Sequence, residues 1–164
     1  AGDAILALPS SGLHTNGYSL ARRVLGEDSA ALNKRYEELG RTVGEALLEP
    51  HRCYFNEIKP VLPWVKGLAH ITGGGFEGNV PRVLPKGLGA HFDKGSWAVP
   101  PVFNLIQQHG KIDDEEMHRV FNMGVGMAVI CSPEDAKRLK KSMPKAKLVG
   151  EVVKQKGRTR VVID

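Results

Sequence analysis

Cysteine is scarce in this sequence. Cys53 and Cys131 are the only two among 164 residues, and they lie far apart. Two thiols cannot form the dense disulfide framework of a small secreted domain, so the expected home is a reducing one, the cytoplasm. Long apolar runs are also missing. None approaches the roughly 20 residues that span a bilayer, which leaves a membrane out of the expected partners. The opening AGDAILALPSSG has neither a basic stretch nor a long apolar core, and is not expected to be a signal peptide. No internal repeat and no low-complexity linker occurs, so residues 1–164 are read as a single domain large enough for a real core. A strand begins within a few residues of Ala1, which suggests one domain of something longer.

What is present is ordinary for a globular chain, with 41% hydrophobic and 25% charged residues. The net charge of +5 comes largely from late lysines and arginines, in Lys137–Lys147 and Lys154–Arg160. No aromatic residues are interleaved there, and Lys140 and Lys141 fall on the outer side of a helical pattern. A solvated face is expected, without a nucleic-acid partner. His51 and Cys53 form one pair of possible metal ligands. No second pair follows at ligand spacing, so no metal site is expected.

The patterning predicts an α+β domain, a mixed β-sheet packed with helices. Ala4–Leu8 is an apolar run read as a buried strand. A helix with Tyr18, Ala21, Val24 and Leu25 on one face follows, stopped by Gly26. Ala30–Leu48 reads as mostly helical, and Lys59–Val65 as one or two turns. Leu68–Thr72 and Gly89–Phe92 read as strands. Val102–Gln108 is a helix opened by Pro100 and Pro101, and Asp113–Val120 another, opened by a capping-box arrangement with Glu116. Met123–Ile130 reads as a central strand. Ser132 caps a helix that carries Ala136, Leu139 and Met143 inward. Lys147–Val153 and Arg158–Ile163 read as a hairpin about Gln155–Gly157.

Two loops carry the chemistry. In Ala69–Pro85, AHITGGGFEGNVPRVLP, the residues Gly73, Gly75 and Gly78 spell GxGxxG, and Asp93 lies about 20 residues on, as in a dinucleotide fingerprint. The prolines argue against it. A dinucleotide loop feeds a helix long enough to cross a sheet, whereas Pro85 ends any helix begun at Pro81 within about one turn. No Gly-Lys-Ser/Thr follows, so it is not a nucleotide P-loop either. Two readings remain for Gly73, Gly74 and Gly75. Their amides form a concave nest for an anion, or they make a sharp strand exit packed under another element.

The second loop lies in PSSGLHTNGYSLARRVL, Pro9–Leu25. It too follows a buried strand and enters a helix, whose first amides are unpaired and carry partial positive charge. An anion binds there without a lysine. Ser10, Ser11 and Thr15 add hydroxyls and His14 a ring donor, while Thr15 or Asn16 caps the helix on the simplest reading. A Ser–His nucleophile is disfavoured because no GxSxG elbow and no orienting acid occur. His70 and His91, beside strands, stay open between a chemical role and the commoner one of a hydrogen-bonded core residue. Gly124 and Gly126 in FNMGVGM share one face of the predicted strand, so something approaches that face closely.

These two segments, with VPPVFNLIQQHG and FNMGVGMAVI, occur in the same order in the aminoimidazole ribonucleotide synthetase family, the phosphoribosylformylglycinamidine cyclo-ligases, and the sequence resembles that family from Gly2 to about Val153. Thr15 departs from it, standing where the family has serine. The resemblance implies the C-terminal half of a longer enzyme that is a homodimer. The other half, its own N-terminal domain, carries most of the binding of ATP and Mg2+ and is absent from this sequence. It implies a phosphorylated small-molecule substrate. ATP would activate the formyl oxygen of formylglycinamidine ribonucleotide, and the amidine nitrogen would close the imidazole ring. Substrate contacts are then expected from Ser10, Ser11, His14 and Asn16, from Thr72, Gly73, Gly74 and Gly75, and from Asn122. No catalytic residue is singled out. The alternatives are a phosphate-ligand-binding domain without chemistry and another ATP-dependent synthetase of the same wider group.

Overall fold

The computed structural model describes all 164 residues. In chain order the elements are β1 (Ala4–Pro9), α1 (Tyr18–Leu25), α2 (Ser29–Asn33), β2 (Arg35–Tyr36), β3 (Arg41–Thr42), α3 (Val43–Leu47), α4 (Phe55–Ile58), β4 (Gly67–His70), α5 (Gly75–Asn79), β5 (Leu88–Phe92), α6 (Pro101–Gly110), α7 (Asp114–Val120), β6 (Val125–Cys131), α8 (Pro133–Ser142), β7 (Lys147–Lys154) and β8 (Val161–Ile163). Short 3-10 turns fill several connections, including Lys59–Trp64 and Val80–Val83.

One six-stranded sheet organises the chain in the order β4-β6-β1-β7-β5-β8. Every pairing is antiparallel except β5 with β8. The sheet is mixed and carries helices, as an α+β architecture requires. Neighbouring β1 and β6 bury both faces, and their side chains alternate between them. Along β1, Ile5 and Ala7 enter the larger core with Phe76, Phe92, Phe103, Ile106 and Met117, beneath α5, α6 and α7. Ala4, Leu6 and Leu8 enter a second core with Val129, Leu139 and Met143, beneath α8 and α4. That is why the strand reads as an unbroken apolar run rather than an alternating one.

Three expectations need correction. The predicted helix Ala30–Leu48 is broken. Asn33 ends α2, a two-stranded ribbon of β2 and β3 turns at Gly40 in the left-handed region (φ 62°), and only Val43–Leu47 resumes helix. The capping box at Thr42 and Glu45 explains the restart, because Thr42 accepts the Glu45 amide and Glu45 accepts the Thr42 amide. The C-terminal hairpin is not one either, since β5 lies between β7 and β8 and pairs with both. Finally, Gly124 lies outside β6 at φ 97°, after Met123 at φ 46°, so of the pair only Gly126 is in the strand. The α8 signals hold, with Ser132 accepting the Asp135 amide and Leu139 and Met143 fully buried.

Candidate functional site

The topology brings the two loops together. β1 and β4 each run antiparallel to β6, from opposite sides, and so run parallel to each other. Their C-terminal ends meet the start of β6 at one end of the sheet, with Pro9 opposite Val125 and His70 opposite Met127. Three segments therefore converge there: Ser10–Gly17, Ile71–Gly74, and the bend Asn122–Gly124. Contact is direct, because a Cβ on Gly73 would lie 2.9 Å from Asn16 Oδ1.

In the first loop the serine hydroxyls are already committed as donors. Ser10 Oγ donates to Asn122 Oδ1 (2.8 Å), and Ser11 Oγ to the Pro50 carbonyl (2.7 Å). Each keeps lone pairs, so toward a ligand each acts as an acceptor. His14 is buried, 4% exposed, at φ 61°, with Nε2 accepting the Ser11 amide at 3.0 Å. It lies under the loop rather than at its surface. Neither Thr15 nor Asn16 caps α1, contrary to the simplest reading. Gly17 occupies the cap position at φ 79°, without a side-chain bond, because any Cβ there would sit 2.2 Å from the Phe121 ring. The first turn of α1 is left without a side-chain acceptor.

The second loop divides its glycines between both readings. Gly73 and Gly74 are exposed, Gly74 at φ 90°, and their amides make no backbone hydrogen bond. Gly75 is buried and donates to the Thr72 carbonyl, and a Cβ there would stand 1.8 Å from the His118 carbonyl oxygen. Packing against α7 demands that glycine. The helix it opens has five residues and is followed by the 3-10 turn that stops before Pro85. With β4 paired antiparallel, no dinucleotide-type parallel unit exists. Asn79 is the residue that sequence reasoning missed. Buried, it donates through Nδ2 to the Gly75 carbonyl (2.7 Å) and has Oδ1 3.2 Å from the Thr72 hydroxyl. Its sequence signal is slight, a polar residue between Gly78 and Val80.

Asn122, expected to touch substrate, faces inward. Its amide donates to the Gly12 carbonyl at 2.8 Å, and its Oδ1 accepts from Ser10 and from the Gly124 amide. It positions the loop and has no atom aimed at solvent-borne ligand.

Beside these loops lies a histidine cluster. His51 stacks on His14 with centroids 3.9 Å apart, and its Nε2 is 3.2 Å from His70 Nε2. Burial, reinforced by the positive charge that His51, His70 and Arg52 can carry, pushes His14 down to about 4. Burial and His51 also lower His70. Tyr54 donates to the Pro9 carbonyl at 3.0 Å, and burial pushes its phenol up to about 12. Arg52 donates to the same carbonyl and grips both oxygens of Glu57 at 2.7 Å. The expected approach to Gly126 is confirmed, for a Cβ there would lie 1.7 Å from the Tyr54 hydroxyl.

The model of the AIR synthase related protein C-terminal domain matches residues 1–163. The chain belongs to that family. This AIR synthase related domain is 49% identical over 170 residues to a phosphoribosylformylglycinamidine cyclo-ligase of Caldicellulosiruptor bescii, covering 99% of the chain and 49% of the relative. It is 47% identical to the chloroplastic/mitochondrial enzyme of that name from Vigna unguiculata, over 97% and 42%. The chain thus spans about half the length of these relatives. Its fold matches half of a thiamine-monophosphate kinase from Stenotrophomonas maltophilia (TM-score 0.60, 14% identity, 99% of this chain and 50% of that one). It also matches the E. coli hydrogenase maturation protein HypE (TM-score 0.59, 26% identity, 99% and 46%). No helix of the domain is long and apolar enough to cross a membrane.

Proposed function

We propose that this domain is the C-terminal half of a phosphoribosylformylglycinamidine cyclo-ligase and forms one wall of its substrate cleft, closed by an N-terminal domain that completes the enzyme. The contact of Asn16 with Gly73 carries this reading, because it fuses two anion-receptive loops into one surface. Gly73 and Gly74 supply unpaired amides for a phosphate. The uncapped first turn of α1 supplies partial positive charge beside them. Ser10 and Ser11, with their protons committed, accept from the amine or hydroxyl groups of the substrate. Oriented in this way, the formyl oxygen is presented to ATP and the amidine nitrogen to the activated carbon, so that positioning accounts for this half's share of the rate.

Mg2+ takes oxygen ligands, usually one or two carboxylates with substrate phosphates and waters. The one cluster of potential metal-binding side chains in the domain consists of imidazoles, which do not fit that ion. The ATP–Mg2+ complex is proposed to be held mainly by the N-terminal half.

Calorimetric titration with formylglycinamidine ribonucleotide, with and without the N-terminal half of a cyclo-ligase, tests the reading. Tight binding and ATP-dependent ring closure are expected only when the halves are combined. Binding by the isolated domain, with no turnover in any combination, would instead support a ligand-binding domain without chemistry.

A further inference from the structure

The histidine cluster is not absorbed by the cyclo-ligase reading, and its geometry has a use of its own. We propose that His14, His51 and His70 form a binding site for one divalent transition-metal ion of the zinc class. A ring nitrogen of each lies within 4.8 Å of a ring nitrogen of the other two. The Nε2 atoms of His51 and His70 are 3.2 Å apart. Two imidazoles bound to one tetrahedral zinc at about 2.0–2.1 Å place their nitrogens about 3.3 Å apart, so this pair already stands near ligand spacing.

The third ring supplies an independent sign. His14 Nδ1 is buried without any hydrogen-bond partner. Buried polar atoms are nearly always satisfied, so an orphan of this kind is open to an ion or a water. Ligation at Nδ1 shifts the ring proton to Nε2, so the Ser11 amide now donating there is released and the Ser10–His14 loop adjusts. Stacked rings hold their in-plane lone pairs parallel, so ligation requires His51, exposed in the connection between α3 and α4, to turn out of its stack on His14.

The donor set selects the metal class. Three neutral imidazoles suit zinc, cobalt, nickel or copper and disfavour magnesium and calcium. Arg52, the neighbouring cation, has its charge partly offset by its bidentate pair with Glu57. Three protein ligands leave a fourth position open. It opens at the sheet end where the two loops converge, so an anionic oxygen of a ligand could take it. Such a metal is distinct from the magnesium that accompanies ATP.

The test uses the 164-residue chain stripped of metal and titrated with Co2+, followed by visible absorption, with Zn2+ as competitor and equilibrium dialysis for stoichiometry. One equivalent of Co2+ with the intense bands of a tetrahedral site, displaced by Zn2+, is expected. Loss of an outer-sphere partner costs roughly 10–100-fold in metal affinity, so removing a ligand in His51→Ala or His70→Ala should cost at least that much. Cys53→Ser, which alters the exposed thiol two residues away, should bind as the parent does. Absence of stoichiometric binding, undiminished affinity in His51→Ala, or loss of binding in Cys53→Ser would each overturn the site. His51 is exposed, so its variant folds, and circular dichroism verifies this.

Discussion

Ser10 Oγ donates a 2.8 Å hydrogen bond to Asn122 Oδ1, across 112 positions of sequence. This bond latches the loop after β1 to the bend before β6. Asn122 is buried and also serves the Gly12 carbonyl and the Gly124 amide. In Asn122→Ala those groups lose their partner. Unsatisfied buried groups cost about 1–3 kcal/mol each, and a net loss of about 2–4 kcal/mol is expected. Urea unfolding measures it. A loss below about 0.5 kcal/mol would mean that the latch is not holding the loop.

Gly126 is required by Tyr54. A Cβ added at Gly126 would meet the Tyr54 hydroxyl at 1.7 Å and Cζ at 2.7 Å. Overpacking a tight contact costs about 1–3 kcal/mol, which is the expected penalty for Gly126→Ala. Tyr54→Phe removes the nearer atom, so the double variant should recover part of that loss. A double-mutant cycle with no coupling would place the strain elsewhere.

Much of this arrangement was legible in the sequence. Unbroken apolar runs announce β1 and β6 because both their faces are covered, and the Ser132–Pro133 signal for α8 is local chemistry that the fold leaves alone. Other features depend on pairing that no local pattern encodes. Arg158–Ile163 reads as the partner of β7 because nothing nearby says that β5 will lie between them. The helix predicted over Ala30–Leu48 stops at Asn33, and the left-handed turn at Gly40 closes the ribbon that takes its place. At the site, GGG marks a loop but cannot show that Gly75 is consumed by the His118 carbonyl while Gly73 and Gly74 stay open. The histidines stand at positions 14, 51 and 70, and they meet only because β1 and β4 exit in parallel and the α3–α4 connection packs against that exit.

The two cysteines should differ sharply toward a thiol reagent. Cys53 is exposed. Cys131 is buried in β6, and burial pushes its thiol up to about 11, with Asp135 and Asp3 adding to the effect. The thiolate is the reactive form, so one thiol per chain should titrate rapidly with Ellman's reagent at pH 8 and the second only on unfolding. Two equally fast thiols in the folded protein would contradict the packing of β6.

The glycine loop is best tested at Gly73 rather than Gly74. Gly74 has φ 90°, where valine is strained, so its replacement would confound folding with function. Gly73 lies outside the left-handed region, and its substituent would press on Asn16 Oδ1 while covering exposed amides. In a full-length cyclo-ligase carrying this domain, Gly73→Val should lower kcat/KM by at least about 100-fold, on the scale of losing preorganised donors. The unfolding midpoint should stay nearly unchanged. Near-normal kinetics would remove the loop from the substrate site.

Acid should destabilise the metal-free domain through His14 before the carboxylates take effect. In the unfolded chain this ring titrates near 6.5, whereas in the folded chain it does so at about 4. As pH falls below 6.5 the unfolded state gains the proton first, so stability present above 6.5 is lost progressively down to about 4. The full span is at most about 3 kcal/mol, and the lowered His70 acts in the same direction. Glu45, held low by the Thr42 amide and hydroxyl, contributes only at more acid pH. Between pH 6.5 and 5 the urea midpoint should therefore drop in the parent and drop less in His14→Phe, whose ring cannot be protonated. Equal slopes for the two proteins would show that His14 binds its proton as readily folded as unfolded, and that it is not buried beneath His51.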